Sequence, residues 1–284
     1  MELIHLLQQV DLPFIVHAMI AITRLGGEIF YILILPVVYW CWRKDIALPL
    51  ASLLLITLFL NVLLKETLQL PRPDETVRLI SVSGYGFPSG HSQAPMVLWG
   101  FLAWNTRSYW WPGLIIFLVG FSRVYLGVHF FQDVIAGWLI GFATLVCGIA
   151  VIKNLDRKSL EFPPIPMAFL FVFLGILLPI TVSHDMTVRA GGLMAGTMSG
   201  IMLERIWVGF QPKTGRWRQL MKIIVGVGVA AGLWWALKIA LPVVTITVWI
   251  RYLLVGLWIG LGAPWVFGKL WNQDPSKSAR LFTS

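Results

Sequence analysis

Histidine, arginine and aspartate residues lie close together in the stretch from Ser122 to Asp133, which reads Ser-Arg-Val-Tyr-Leu-Gly-Val-His-Phe-Phe-Gln-Asp. His129 and Asp133 are four positions apart, so a helix that begins near Phe130 would bring both to one face. The carboxylate would then accept a hydrogen bond from one imidazole nitrogen and leave the other nitrogen free to attack. This spacing predicts a reactive histidine.

A second histidine follows a turn that is suited to binding an anion. The segment Gly86-Phe87-Pro88-Ser89-Gly90-His91 precedes an apolar run and is expected to open a helix. Free backbone N–H groups at a helix start attract anions, and Ser89 and Gly90 would let one approach closely. His91 beside this turn could protonate a leaving group and then activate water.

Three basic residues, Lys65, Arg72 and Arg123, lie near predicted helix ends without enough carboxylates nearby to neutralise them. Burying an unpaired charge is unfavourable, so a missing anion is the expected partner. The planar fork of arginine favours a phosphoryl group. Together with the backbone amides, these cations would stabilise the charge of a phosphoryl-transfer transition state, so neither a metal ion nor a cofactor is expected.

The composition places these residues in a membrane. Of the 284 residues 58% are hydrophobic and 12% are charged, and the mean hydropathy is +0.80, which is too apolar for a soluble globular domain. The net charge of +9 is spread over short loops, so no nucleic-acid partner is expected.

Apolar runs long enough to cross a bilayer recur along the chain, which predicts an all-α, polytopic transmembrane helix bundle. Residues 1–24 fit an interfacial helix or a half-span. About nine spans are expected to follow, at 28–42, 46–67, 91–106, 109–126, 131–152, 166–183, 187–206, 220–241 and 246–267.

The distribution of basic residues predicts the orientation of the bundle. If the spans alternate strictly, most of the 22 basic residues fall on the side of Arg43 and Lys44, which the positive-inside rule makes cytoplasmic. All three polar segments then face the opposite side. The predicted active site is therefore on the non-cytoplasmic face, periplasmic or luminal.

Two further patterns bear on organisation. A charged, proline-containing linker from Asn154 to Pro166 suggests a catalytic core at residues 1–153 and additional C-terminal transmembrane helices at 154–284. Gly192, Gly196 and Gly200 form a small-residue stripe that is typical of close helix packing, either within the bundle or across a homodimer contact.

The three segments together resemble the signature of the type 2 phosphatidic acid phosphatase superfamily, with matching spacings over about residues 28 to 152. The resemblance implies His129 as nucleophile, His91 as general acid and base, and Asp133 as the residue that orients His129. It also implies a phosphate site made by a set of five residues: Lys65, Arg72, Ser89, Gly90 and Arg123.

Spans after Pro163 exceed those of small bacterial members and are similar to the longer sphingoid-base-phosphate phosphatase branch, although Gly90 stands where that branch often has threonine. The expected activity is a metal-independent phosphoric monoester hydrolase that removes the terminal phosphate of a membrane lipid through a phosphohistidine. An undecaprenyl diphosphate phosphatase and a lipid phosphotransferase would use the same residues. A transporter of phosphorylated lipids is the non-enzyme alternative, and the histidine pair argues against it because binding alone does not need it.

Overall fold

The computed structural model describes residues 2–8, 13–157 and 163–271, and its regular structure is helical. Two π-helical turns, Val38–Trp42 and Trp258–Gly262, directly follow the helices Glu28–Val37 and Thr245–Leu257. The helices are α1 (Glu2–Gln8), α2 (Pro13–Arg24), α3 (Glu28–Val37), α4 (Lys44–Leu68), α5 (Gly90–Thr106), α6 (Trp110–Tyr125), α7 (Phe131–Arg157), α8 (Pro164–Thr181), α9 (Asp185–Trp207), α10 (Arg216–Ala240), α11 (Thr245–Leu257) and α12 (Ala263–Leu270).

Five of the described helical segments are long and apolar enough to cross a membrane, and a sixth is obtained if α2 and α3, bent by 52°, are counted as one span. The prediction of an all-helical, multi-pass membrane protein is confirmed. Each of the nine predicted spans coincides with a helix, but the count of nine spans is not confirmed. Helices α5 and α6 have 17 and 16 residues, fewer than the about 20 that a hydrocarbon core requires, and glycines and charged residues make α9 less apolar.

The first compact unit comprises residues 1–32 and 52–159 and holds all the predicted site residues. Within it the start of α5 packs closely on α7. A Cβ added at Gly137 would lie only 2.6 Å from the Ser89 carbonyl oxygen, which shows this close approach. In α1, Ile4 is buried against Val77 and Val124. The N-terminal residues, expected to form one interfacial helix or half-span, form two helices, and residues 9–12 between them lie outside the described part.

The second compact unit comprises residues 33–51 and 160–284. The small-residue stripe lies here against α11, where Cβ atoms added at Gly192 and Gly196 would come within 2.3 and 2.0 Å of backbone oxygens of Trp249 and Leu253. At Gly200 a Cβ would meet the backbone of the π-helical turn that follows α11. The stripe therefore serves helix packing within this unit.

Residues 33–51 belong to the second unit, whereas the sequence predicted one division of the chain after residue 153. The physical reason is a buried polar cluster around Glu204 of α9. The Tyr39 hydroxyl donates to Glu204 Oε2 at 3.0 Å, and Lys44 Nζ lies 3.1 Å from Glu204 Oε1. The predicted linker also differs, since α7 extends to Arg157 and residues 158–162 lie outside the described part.

Candidate active site

The turn between α6 and α7 presents His129. Gly127 in this turn has φ +68°, and a Cβ there would lie 2.0 Å from the Val77 carbonyl oxygen, so both conformation and space require glycine. His129 is 2% exposed, and its Nδ1 lies 3.4 Å from Oδ2 of Asp133 in the first turn of α7. The same carboxylate oxygen accepts the Phe130 N–H at 3.0 Å, which fixes its orientation.

The other imidazole nitrogen, Nε2, lies 3.1 Å from Nη1 of Arg72. A guanidinium can only donate hydrogen bonds, so Nε2 must be the unprotonated nitrogen and Nδ1 must carry the proton that faces Asp133. This is the tautomer that a nucleophile at Nε2 requires. If Nε2 is the attacking atom, an incoming phosphoryl group must first replace it as the partner of Arg72 Nη1.

Arg72 and Lys65 are held by backbone carbonyl groups of the loop before α5. Arg72 Nε donates to the Gly84 oxygen at 2.9 Å, and Lys65 Nζ donates to the Tyr85 oxygen at 2.5 Å. Gly86 N–H in turn donates to the Leu70 oxygen at 2.8 Å. The first and second sequence segments are thereby joined through the backbone, and backbone oxygens rather than carboxylates accept these hydrogen bonds from the two cations.

Helix α5 begins at Gly90, with Ser89 buried at its N-cap. The Ser89 N–H donates to the Asp133 carbonyl oxygen at 3.0 Å, so the second and third segments are also joined. His91 follows in the first turn, and a Cβ built at Gly27 would lie 3.8 Å from its Nε2. The space beside the expected acid and base is thus bounded by the turn between α2 and α3.

Arg123, near the end of α6, is 3% exposed. Its Nη1 donates to Oγ1 of Thr23 in α2 at 2.7 Å, while its Nε has no hydrogen-bond partner among the described residues. A buried guanidinium with unused donors is suited to an anionic ligand.

Electrostatics keep His129 neutral. Burial lowers the pKa of His129 well below its ordinary value, and the positive charges of Arg123 and Arg72, followed by Lys65 and His91, lower this pKa further. Every predicted catalytic residue and all five predicted phosphate-binding residues lie in the first unit, and hydrogen bonds connect four of them directly: Arg72, His129, Asp133 and Ser89. In this arrangement a buried imidazole experiences the positive charges of Arg123, Arg72 and Lys65.

We expect the acidic limb of the kcat/KM profile to lie below pH 6.5, the ordinary pKa of histidine. Protonated His129 cannot attack, and a lowered pKa preserves the neutral form as the pH falls. Arg72→Gln removes one of the charges that lower this pKa, so its limb should move to higher pH. The measurement is the pH profile of phosphate release, corrected for the second ionisation of the substrate.

Arg189→Gln serves as the control, because Arg189 pairs with Asp185 in the second unit and is not among the charges that act on His129. A wild-type limb at or above pH 6.5, or equal limbs in the wild type and Arg72→Gln, would contradict this account.

Sequence reasoning missed Thr23, which accepts a hydrogen bond from Arg123, and it missed Asn61 and Gln93, which bond to each other below the Pro88 carbonyl group. Asn61 offered one signal, since a single amide within an apolar span four residues before Lys65 is costly unless it has a partner. Thr23 offered none, because threonine is common in apolar helices.

Comparison with known proteins assigns the family. The sequence profile of the PAP2 superfamily matches residues 46–157, and the profile described as PAP2 superfamily phosphatase, transmembrane extension matches residues 188–274. The first match contains Lys65, His91 and His129, together with the other predicted site residues. The second match lies in the C-terminal helices.

Two curated relatives match about half of this chain. Phosphatidylglycerophosphatase B of Bacillus subtilis (strain 168) is 31% identical over 170 residues, which cover 53% of this chain and 79% of the relative. Sphingosine-1-phosphate phosphatase 1 of Rattus norvegicus is 28% identical over 173 residues, covering 54% of this chain but only 39% of the relative. A crystal structure of the first transmembrane PAP2 type phosphatidylglycerolphosphate phosphatase from Bacillus subtilis aligns with 57% of this chain and 86% of that chain, at 28% identity and a TM-score of 0.47.

The chain belongs to the PAP2 superfamily, and it carries the transmembrane extension of that family. The family prediction is therefore confirmed. The named relatives are lipid phosphatases, so the assignment of the chain to the phosphoric monoester hydrolases is confirmed at the level of the family.

Proposed function

We propose that this protein is a metal-independent membrane phosphatase that hydrolyses the terminal phosphate of an amphiphilic lipid through a phosphohistidine at His129. The observation that carries the proposal is the double contact of the His129 imidazole. Nδ1 faces Asp133 at 3.4 Å and Nε2 faces Arg72 at 3.1 Å, which places a lone pair where cations gather.

In the first step Nε2 of His129 attacks phosphorus, and the bond between phosphorus and the lipid oxygen breaks. His91 donates a proton to the departing alkoxide. Arg72, Arg123 and Lys65 balance the charge on the equatorial oxygens, as do the first N–H groups of α5. In the second step His91 accepts a proton from water, the water oxygen attacks phosphorus, and the P–N bond breaks to release phosphate.

The lipid nature of the substrate is inferred from two observations. The site is built between helices of an apolar chain, so a substrate tail can remain in the bilayer while its head reaches His129. The relatives are named for phosphatidylglycerophosphate and sphingosine-1-phosphate, both of them amphiphilic lipid phosphates. We propose a substrate of this class.

We further propose nine spans, with α5, α6 and α9 crossing the bilayer alongside the apolar helices. Their polar residues are turned into the protein: Ser92 and Gln93 of α5, Arg123 of α6 and Glu204 of α9 are all buried. This topology puts Arg43 and Lys44 in the cytoplasm and the active site on the non-cytoplasmic face. The catalytic core then lies within residues 1–153, and residues 154–284 supply the additional helices.

The proposal is tested with the purified full-length protein in detergent micelles containing EDTA. The panel comprises sphingosine-1-phosphate, phosphatidate, phosphatidylglycerophosphate and undecaprenyl diphosphate at one ratio of lipid to detergent. We expect phosphate release from at least one monophosphate, unchanged by EDTA, with micelles lacking protein as the control.

Three other outcomes would each contradict a defined part of the proposal. Lipid translocation in vesicles without phosphate release would indicate a transporter. Phosphate transferred to another lipid, detected by mass spectrometry, would indicate a phosphotransferase. Turnover of the diphosphate alone would move the substrate to undecaprenyl diphosphate.

A further inference from the structure

Three amide and hydroxyl side chains are buried beneath the turn that opens α5. Asn61 and Thr57 belong to α4, Gln93 belongs to α5, and all three are buried in the first unit. Buried polar groups in a bilayer-spanning helix are unfavourable unless they are hydrogen-bonded. The mechanism above assigns none of them a role.

Hydrogen bonds connect these three side chains to one another and to the turn. Gln93 Nε2 donates to both the backbone oxygen and Oγ1 of Thr57 at 2.9 Å, which leaves Gln93 Oε1 as an acceptor. Asn61 Nδ2 donates to that oxygen at 2.9 Å and to the Pro88 carbonyl oxygen at 3.2 Å. The orientation of the Asn61 amide is thus set by its neighbours, because reversing it would bring two oxygens together.

This fixed orientation directs Asn61 Oδ1 towards Gly90. A Cβ added at Gly90 would lie 2.9 Å from Oδ1 and 3.4 Å from Cγ of Asn61. A side chain at position 90 therefore requires the Asn61 amide to shift, which would disturb its hydrogen bonds to Pro88 and Gln93.

We infer that Asn61 is a positioning residue that holds the turn Pro88–His91 in the geometry needed for phosphate binding and proton transfer, and that positions 61 and 90 form a coupled pair. The inference rests on the proposed phosphatase function. Asn61 acts through the Pro88 carbonyl, and the same turn carries the Ser89 N–H that donates to Asp133. A shift of this turn would move His91 relative to His129.

The test is a double-mutant cycle of Asn61→Ala and Gly90→Ala in the full-length protein. Gly90→Ala alone should lower kcat/KM about 10- to 100-fold, since small displacements at a reacting centre have effects of this size. Asn61→Ala should lower it by a similar factor through loss of the Pro88 contact. In the double variant the added methyl group meets no amide, so its kcat/KM should be no lower than that of Asn61→Ala.

Asn61→Asp separates hydrogen bonding from volume, because it keeps the shape but cannot donate to Pro88 when ionised. We expect it to lower kcat more than it raises KM. Gly113→Ala and Asn105→Asp are the matched controls: a Cβ at Gly113 meets nothing within 4 Å, and Asn105 bonds only the Phe101 oxygen among the described contacts. Both controls should retain wild-type turnover.

Multiplicative losses in the double variant would overturn the coupling, and wild-type turnover of Asn61→Asp would overturn the positioning role. Orthovanadate affinity, measured by thermal shift on the same variants, does not need turnover. If the wild type released no phosphate but vanadate affinity showed the same coupling, the proposed function would fail while the coupled pair would stand. Additive losses of vanadate affinity would overturn the pair independently of function.

Discussion

Replacing His129 by alanine is expected to lower kcat at least about 10⁴-fold, since removal of a covalent nucleophile leaves only binding and electrostatic stabilisation. The wild type, quenched during turnover of a ³²P-labelled lipid, should carry an acid-labile phosphoryl group that His129→Ala lacks. Phosphate release and protein labelling are the two measurements.

The control for this variant is His17→Ala. His17 is exposed on α2 and its Nδ1 contacts the Pro13 oxygen within its own helix, so its removal should leave turnover unchanged. Turnover by His129→Ala within tenfold of the wild type would exclude a phosphohistidine at this position.

Replacing Arg123 by lysine is expected to lower kcat/KM about 10²- to 10³-fold, although the positive charge is retained. The guanidinium is buried, its Nη1 is held by Thr23, and its Nε–H has no partner among the described residues. An ammonium group cannot both bond Thr23 and present a planar fork to phosphate. The measurement is steady-state kinetics with the preferred lipid.

Thr23→Val is the matched variant, because it keeps the branched shape of the side chain and replaces the hydroxyl that accepts from Arg123 by a methyl group. Its effect should be about tenfold and should fall mainly on KM, since the arginine itself remains. Equal kinetics for Arg123→Lys and the wild type would remove Arg123 from the phosphate site.

Helix positions could be predicted from the lengths of apolar runs. Residues 28–42 coincide with α3 and its π-helical continuation, and the span predicted at 131–152 lies within α7. The π-helical turn at Val38–Trp42 could not be predicted, because its side chains pack on residues distant in sequence. One of these is Ile259, whose carbonyl oxygen accepts a hydrogen bond from the Trp40 indole Nε1–H at 2.9 Å. The grouping of residues 33–51 with the C-terminal unit has the same origin.

The site residues could be predicted because charged groups occur at characteristic spacings in an otherwise apolar chain. His129 and Asp133 follow the helical repeat, so their 3.4 Å contact could be anticipated. Thr23 lies 100 positions before Arg123 and belongs to no repeat, so the sequence alone could not indicate their pairing. The tautomer of His129 was also hidden, since it depends on which donor faces Nε2.

The contact between Arg72 and Nε2 of His129 bears on which phosphate esters the proposed nucleophile can react with in a membrane. Under the proposed mechanism Nε2 of His129 cannot attack until a ligand replaces it as the hydrogen-bond partner of Arg72. A terminal phosphate with two negative charges competes for arginine better than the single charge of a phosphodiester. Most phospholipids of a bilayer are diesters, so under this proposal they leave the contact between Arg72 and His129 in place. A reactive histidine can thus reside among phosphate esters and discriminate by charge before any bond is made.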